Sequence, residues 1–171
     1  MKEVQTKVRN DQEKKYLTFK LAEEQYGLEI HKVIEIIGMQ DITPVPRTPD
    51  YLRGVINLRG IIHPVIDLKQ KFGMGMTRET ELTCIIVVTV NRDNKQEQIG
   101  IIVDEVLEVE DINEQDIEQS TGFGQGINTQ FILGMAKTKG GVKMILDLQK
   151  TLNTRELDII SNIKETKNDN V

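Results

Sequence analysis

Hydrophobic positions along this chain gather in short runs rich in apolar and β-branched residues and set between polar stretches, as in YLTFKL at 16–21 and CIIVVTV at 84–90, the pattern of strands rather than helices. The runs at 16–21, 26–30, 54–59 and 61–66 are rich in β-branched residues and are bounded by Gly, Pro or Asn, which predicts strands joined by tight turns. Small antiparallel barrels or sandwiches follow from this, not an α/β layer fold. Helix is scarce: Asp67 and Asp147 each follow an apolar run and precede LKQKF or LQKTL, the place of an N-cap on a short helix. Near the end, TRELDIISNIK (154–164) sets Leu157, Ile160 and Ile163 at helical spacing. The first 14 residues and the last seven are polar, which predicts a flexible N-terminal tail over 1–14 and a C-terminal helix and tail over 154–171.

The pattern also occurs twice. LRGVINLRGIIHPVIDLKQKF (52–72) aligns without a gap on LGMAKTKGGVKMILDLQKTL (133–152) at an offset of 80, matching Gly54 with Gly134, Gly60 with Gly140 and Asp67 with Asp147. YGLEIHKVIEI (26–36) aligns on IGIIVDEVLEV (99–109) at an offset of 73, matching Gly27 with Gly100, Val33 with Val106 and Glu35 with Glu108. Shared block order predicts two similar units, about 15–80 and 81–153, with a seam near GMGMTRET (73–80) and exchange of strands between them open. A barrel of this size buries little surface alone, so the two should pack together and leave a groove between them.

Arg59 interrupts this apolar background. Alternation puts Ile56 and Leu58 on one face and Asn57 and Arg59 on the other, and Gly60 permits the positive φ of a tight turn. The second unit repeats the design with Lys137, Lys139 and Gly140. Pattern alone leaves Arg59 either a solvated turn residue or a recognition contact.

Composition narrows the chemistry. A net charge of −5 and a pI near 5.2 argue against nucleic acid as a partner. Charge is divided: residues 97–118 hold nine acidic side chains and no basic one, while Arg47 to Arg78 holds six basic and two acidic, a division suited to protein partners. The two serines lie outside any nucleophile motif, and the single cysteine, Cys84, sits in an apolar run where a thiol acts as a small hydrophobe. His31 and His63 have no nearby ligand set, and TGFGQG (121–126) lacks the lysine and hydroxyl of a phosphate-binding loop. No enzyme, cofactor or metal site is therefore expected. With no apolar leader and no apolar stretch near the roughly 20 residues that span a bilayer, the expected location is the cytoplasm, without direct membrane insertion.

TPVPRTPDYLRGVINLRGIIHPVIDL (43–68), preceded by EEQYGLEIHKVIEI (23–36) and followed by IGIIVDEVLEV (99–109), resembles the CheW family of bacterial chemotaxis coupling proteins, in order from about residue 15 to 153. The resemblance implies a mostly β fold of two packed, five-stranded SH3-like barrels with short helices and a C-terminal helix. It also implies a non-catalytic adaptor that links the cytoplasmic signalling tip of chemoreceptors to the regulatory domain of the histidine kinase CheA and is recruited to membrane-associated arrays. By motif position, Leu17, Ile30, Val33 and Val106 would line the receptor groove, with Glu35 and Arg59 as polar contacts. Ile42, Val45 and Phe123 would meet the kinase. Ile30 and Val33 also suit a purely structural place in the core, and His63 stands where the family usually has an aliphatic residue. Rival assignments are an adaptor in a related kinase pathway for surface motility and a small ligand-binding protein using the groove and the acidic strip.

Overall fold

A computed structural model describes residues 13–119, 131–152, 156–159 and 161–162. Its strands are β1 (Glu13–Leu21), β2 (Glu24–Glu29), β3 (Val33–Gly38), β4 (Leu52–Leu58), β5 (Ile61–Asp67), β6 (Cys84–Arg92), β7 (Lys95–Val103), β8 (Glu105–Asn113), β9 (Ile117–Gln119), β10 (Ile132–Thr138) and β11 (Gly141–Leu146). Two four-residue helices, α1 (Leu68–Lys71) and α2 (Leu148–Thr151), complete the pattern. The mostly β prediction holds, and strands lie within a few residues of the apolar, β-branched runs. Leu157 packs in the core on a C-terminal helical stretch at 156–159 and 161–162, whereas Ile160 and Ile163 lie outside the described residues.

Six strands form one sheet in the order β8-β1-β2-β11-β10-β9, and five form the other in the order β3-β6-β7-β5-β4. Each order is open, so the SH3-like description applies to the strand plan rather than to a closed barrel. Each sheet mixes strands from both halves of the sequence. Strands β2 and β11 pair in parallel, with Gly27 opposite Ile145, and β5 and β7 pair in parallel, with Val65 opposite Gly100. Gly27 matches Gly100 and Val65 matches Ile145 in the repeat, so these two cross-half pairs are one pair seen twice. The irregularities repeat too: the β4–β5 ladder shifts between Leu52 and Gly54, and the β10–β11 ladder between Ile132 and Gly134.

The largest core cluster draws on both sheets, through Leu17, Phe19 and Leu28 on one side and Ile86, Val88 and Ile101 on the other. Phe19, Tyr26, Phe72 and Phe131 form a file through it, with successive ring centroids 5.9, 6.0 and 5.2 Å apart. Two smaller clusters lie within the individual sheets: Ile56, Val65, Ile85 and Ile102 in one, and Tyr16, Ile112, Ala136 and Ile145 in the other. A strand such as β1 is therefore buried on both faces, Tyr16 facing the small cluster and Leu17 the shared one. The caps appear as expected: the Asp67 carboxylate accepts from Gln70 N at 3.4 Å, and Asp147 from Gln149 N and Lys150 N at 3.0 and 3.2 Å.

Candidate docking surfaces

Strands β3 and β8 occupy the outer edges of their sheets. Val33 begins β3, and Val106, its repeat counterpart, lies at the start of β8. Both are partly buried against the shared core, as is Ile30 from the short 3-10 turn Ile30–Lys32 that leads into β3. Ile30, Val33 and Val106 thus converge on the margin of one cluster. Leu17 belongs to the interior of that cluster at 3% exposure, so it supports the margin and does not line a surface.

Glu35 and Arg59, 24 residues apart, meet as an ion pair, Arg59 Nη2 to Glu35 Oε1 at 2.8 Å. The turn explains the meeting. Leu58 pairs with Ile61 across a two-residue loop in which Arg59 has φ 53° and Gly60 φ 87°, the type that matches strand twist, and Gly60 N donates to Asn57 Oδ1 at 2.8 Å. The hairpin tip lays the guanidinium over the β3 edge while 74% of the Arg59 side chain stays exposed. So Arg59 is a turn residue that also reaches a second strand. The second unit departs from this design: its positive φ falls on Gly141, and Glu108 and Lys139, the counterparts of Glu35 and Arg59, are not joined by an ion pair.

Sequence reasoning missed part of the surface. Ile34 and Ile36 on β3, and their repeat counterparts Leu107 and Val109 on β8, are large exposed hydrophobics at 37–48%. Each pair sits at or beside a bulge, between Val33 and Glu35 on β3 and opposite Thr18 on β8. The signal was available in VIEIIG and VLEVED: apolar residues at both parities on a strand mean that neither face is wholly solvated.

Among the kinase candidates, Ile42 is partly buried against the cluster of Ile56, Val65 and Ile85, next to the isolated bridge between Thr43 and Val55. Val45 is partly exposed, its carbonyl accepting from Thr48 Oγ1 at 2.8 Å. Both lie in the segment between β3 and β4, apart from the margin formed by Ile30, Val33 and Val106. Phe123 lies outside the described residues.

Chemistry for catalysis or ligand capture is thin on these surfaces. Among the described residues no three His, Cys, Asp or Glu side chains are grouped to hold a metal. The Cys84 thiol is pushed above its ordinary pKa by burial, partly opposed by a backbone hydrogen bond from Val106, so thiolate is a minor form near neutrality. A depression of about 450 Å³ beside Glu110, Asp111, Asp116, Lys137 and Lys139 mixes both signs of charge in an open setting. A second, of about 140 Å³ beside Leu28, Glu29, Lys32 and Asp147, falls below the few hundred Å³ usual for small-molecule sites. No helix among the described residues is long and apolar enough to cross a membrane.

A family profile described as a CheW-like domain matches residues 15–156. The chain belongs to the CheW family. Chemotaxis protein CheW of Klebsiella aerogenes is 32% identical over 151 residues, covering 88% of this chain and 89% of that protein. Chemotaxis protein CheW of Treponema pallidum is 31% identical over 161 residues, covering 90% and 91%. The crystal structure of the scaffolding protein TtCheW from Thermoanaerobacter tengcongensis superposes with a TM-score of 0.73 at 41% identity, covering 84% of this chain and 96% of that one. CheW membership therefore rests on sequence and fold together, across nearly the whole length of each relative.

Proposed function

We propose that this chain is a non-catalytic adaptor that couples chemoreceptors to the histidine kinase CheA in chemotaxis signalling. The observation that carries this reading is the Glu35–Arg59 ion pair, set beside the exposed Ile34 and Ile36 on the edge of a CheW-family sheet. An apolar strip with a neutralised polar pair at its border suits the apolar face of a helix, the strip supplying contact area and the pair fixing orientation. The partner at this surface is the receptor's cytoplasmic signalling tip. Ile30, Val33 and Val106 back the strip, and Leu17 supports them from within.

Ile42, Val45 and Phe123 are assigned to the regulatory domain of the kinase, on a surface separate from the receptor strip. Two surfaces on one rigid body suffice for coupling. A receptor change then alters the kinase equilibrium through differential affinity of about 1 to 3 kcal/mol, with no covalent step in the adaptor. The chain works in the cytoplasm and reaches the membrane only through the receptors it binds.

Calorimetric titration of the full chain against a receptor cytoplasmic fragment and against the kinase regulatory domain tests the reading, with Arg59→Ala alongside. Binding of both partners, with the receptor arm alone weakened by about 1 to 2 kcal/mol in the variant, is the expected result. Wild-type protein that binds neither partner would leave the fold assigned and overturn the adaptor reading. Binding to a kinase of surface motility in preference to CheA would move the same adaptor to that pathway.

A further inference from the structure

The C-terminal helical stretch, 156–159 and 161–162, is fastened on two sides. Leu157 enters the shared core. On one side, the Glu156 carboxylate accepts from the Tyr51 hydroxyl and from Lys71 Nζ, and the Lys71 ammonium lies 4.3 Å from the Tyr51 ring centroid and 5.5 Å from that of Phe131. On the other, Arg92 donates to Asp158 Oδ1 at 2.6 Å and to Ser161 Oγ at 2.8 Å. Lys71 and Glu156 are largely withdrawn from water, so the contact is one of the better shielded ion pairs in the molecule. The Tyr51 phenol is held well above its ordinary pKa, first by burial and then by the Glu156 hydrogen bond, which keeps it a donor at any physiological pH.

Tyr51 occupies a particular place. It closes the segment that carries Ile42 and Val45, a segment stitched by Leu52 N to Pro49 O at 3.0 Å and by the Thr48–Val45 bond. Its own carbonyl accepts from Asp67 N at 2.8 Å. The repeat provides an internal control: Phe131, 80 positions later, accepts from Asp147 N at 2.9 Å through the same backbone bond but has no hydroxyl. The backbone contact is thus common to both halves, and the side-chain tether is added only where the C-terminal stretch arrives. The family profile ends at 156, so Leu157, Asp158 and Ser161 lie beyond the shared domain.

We propose that the C-terminal helix is a latch on the 42–51 segment, with Glu156 as its positioning residue, and that the latch sets how firmly Ile42 and Val45 are presented to the kinase regulatory domain. The inference rests on the kinase assignment above, and its test keeps the two apart. Hydrogen exchange by mass spectrometry on the full chain compares wild type with Tyr51→Phe, which keeps the ring and removes the hydroxyl, and with Glu156→Gln. Both variants should speed exchange over 40–52 by about tenfold while β1, β2 and β7 keep wild-type protection. Affinity for the kinase regulatory domain should fall by roughly three- to tenfold with receptor-fragment affinity unchanged.

Unchanged exchange over 40–52 in both variants would overturn the latch. An increase spread evenly over all strands would overturn it equally, because it would mark general loss of stability. Faster exchange confined to 40–52 in a protein whose wild type binds no kinase domain would uphold the latch and overturn the kinase assignment.

Discussion

Arg59 is held in the left-handed region at φ 53°, where an arginine is strained and an asparagine is at ease. An Asn-Gly pair is the preferred occupant of such a turn, so local preference argues against Arg59, and the exposed ion pair with Glu35 returns no more than about 1 kcal/mol. Arg59→Asn should accordingly leave the chain as stable as wild type or more stable by about 0.5 to 1 kcal/mol, while receptor-fragment affinity drops. Parallel denaturant melts and titrations separate the two effects, and a loss of stability without loss of affinity would return Arg59 to a structural role. Gly54 shows the opposite case. A β-carbon there would stand 2.1 Å from Thr43 O at φ 144°, so Gly54→Ala must break the Thr43–Val55 bridge. Destabilisation of about 3 kcal/mol or more is expected in a denaturant melt, whereas Gly60, which has open space, should tolerate Ala at a cost near 1 kcal/mol.

Helices α1 and α2 are repeat copies capped by the same residue type, yet their caps differ in kind. Asp147 serves its own helix. Asp67, fully buried, also accepts from Arg53 Nη1 at 3.0 Å and from Thr77 N and Oγ1 at 2.8 and 2.6 Å, so it anchors the seam between the two halves as well. Asp147→Ala should cost about 1 kcal/mol, the ordinary loss of a cap. Asp67→Ala should cost roughly 3 to 5 kcal/mol, because Arg53 and two Thr77 donors lose their acceptor. Equal costs in urea melts would show that the seam is held by other contacts. On β8, burial in the first place pushes the Glu110 carboxyl above its ordinary pKa, with Lys143 opposing the shift and Glu108 reinforcing it. The folded state therefore holds this proton more tightly than the unfolded state, and ionisation lowers stability as pH rises from the ordinary carboxylate range through the raised folded value. Glu110→Gln should raise the melting temperature at pH 7, and the gain should shrink as pH falls to about 4. A gain that persists unchanged at acid pH would assign the effect to packing instead.

At the scale of the molecule, the short β-branched runs identified strands and the repeat identified their equivalence, but neither could say which strand pairs with which. Period-two alternation reports the faces of a strand and is silent about its neighbours. Two similar halves are equally compatible with each folding on itself and with exchange of equivalent strands. Leu17 illustrates the same limit, since a strand buried on both faces offers no cue to which side is the partner surface. Motif likeness named Glu35 and Arg59 as polar residues of one groove without joining them, and named Val33 and Val106 among its lining. It passed over Ile34, Ile36, Leu107 and Val109, whose exposure depends on the two bulges.

The exchanged topology has a direct consequence for assembly of the fold. Strands β1 and β2 have β8 on one side and β11 on the other, so the N-terminal half contributes two inner strands whose neighbours come from the C-terminal half. The reverse holds for β6 and β7, which lie between β3 and β5. A fragment of residues 1–78 would expose both flanks of the β1–β2 hairpin and the apolar faces of β3 to β5, and an isolated hairpin is marginal in water. Neither 1–78 nor 79–171 should then melt cooperatively alone, whereas the two mixed or co-expressed should recover a one-to-one complex with a single transition. Intact-chain folding should be slow for its size, in the millisecond to second range, because pairings such as Leu17 with Val109 close long loops before they are stabilised. Circular dichroism melts of each fragment and of the mixture decide the point. A cooperative transition in either fragment alone would mean that its strands pair within their own half, and that the cross-half ladders form only when both halves share one chain.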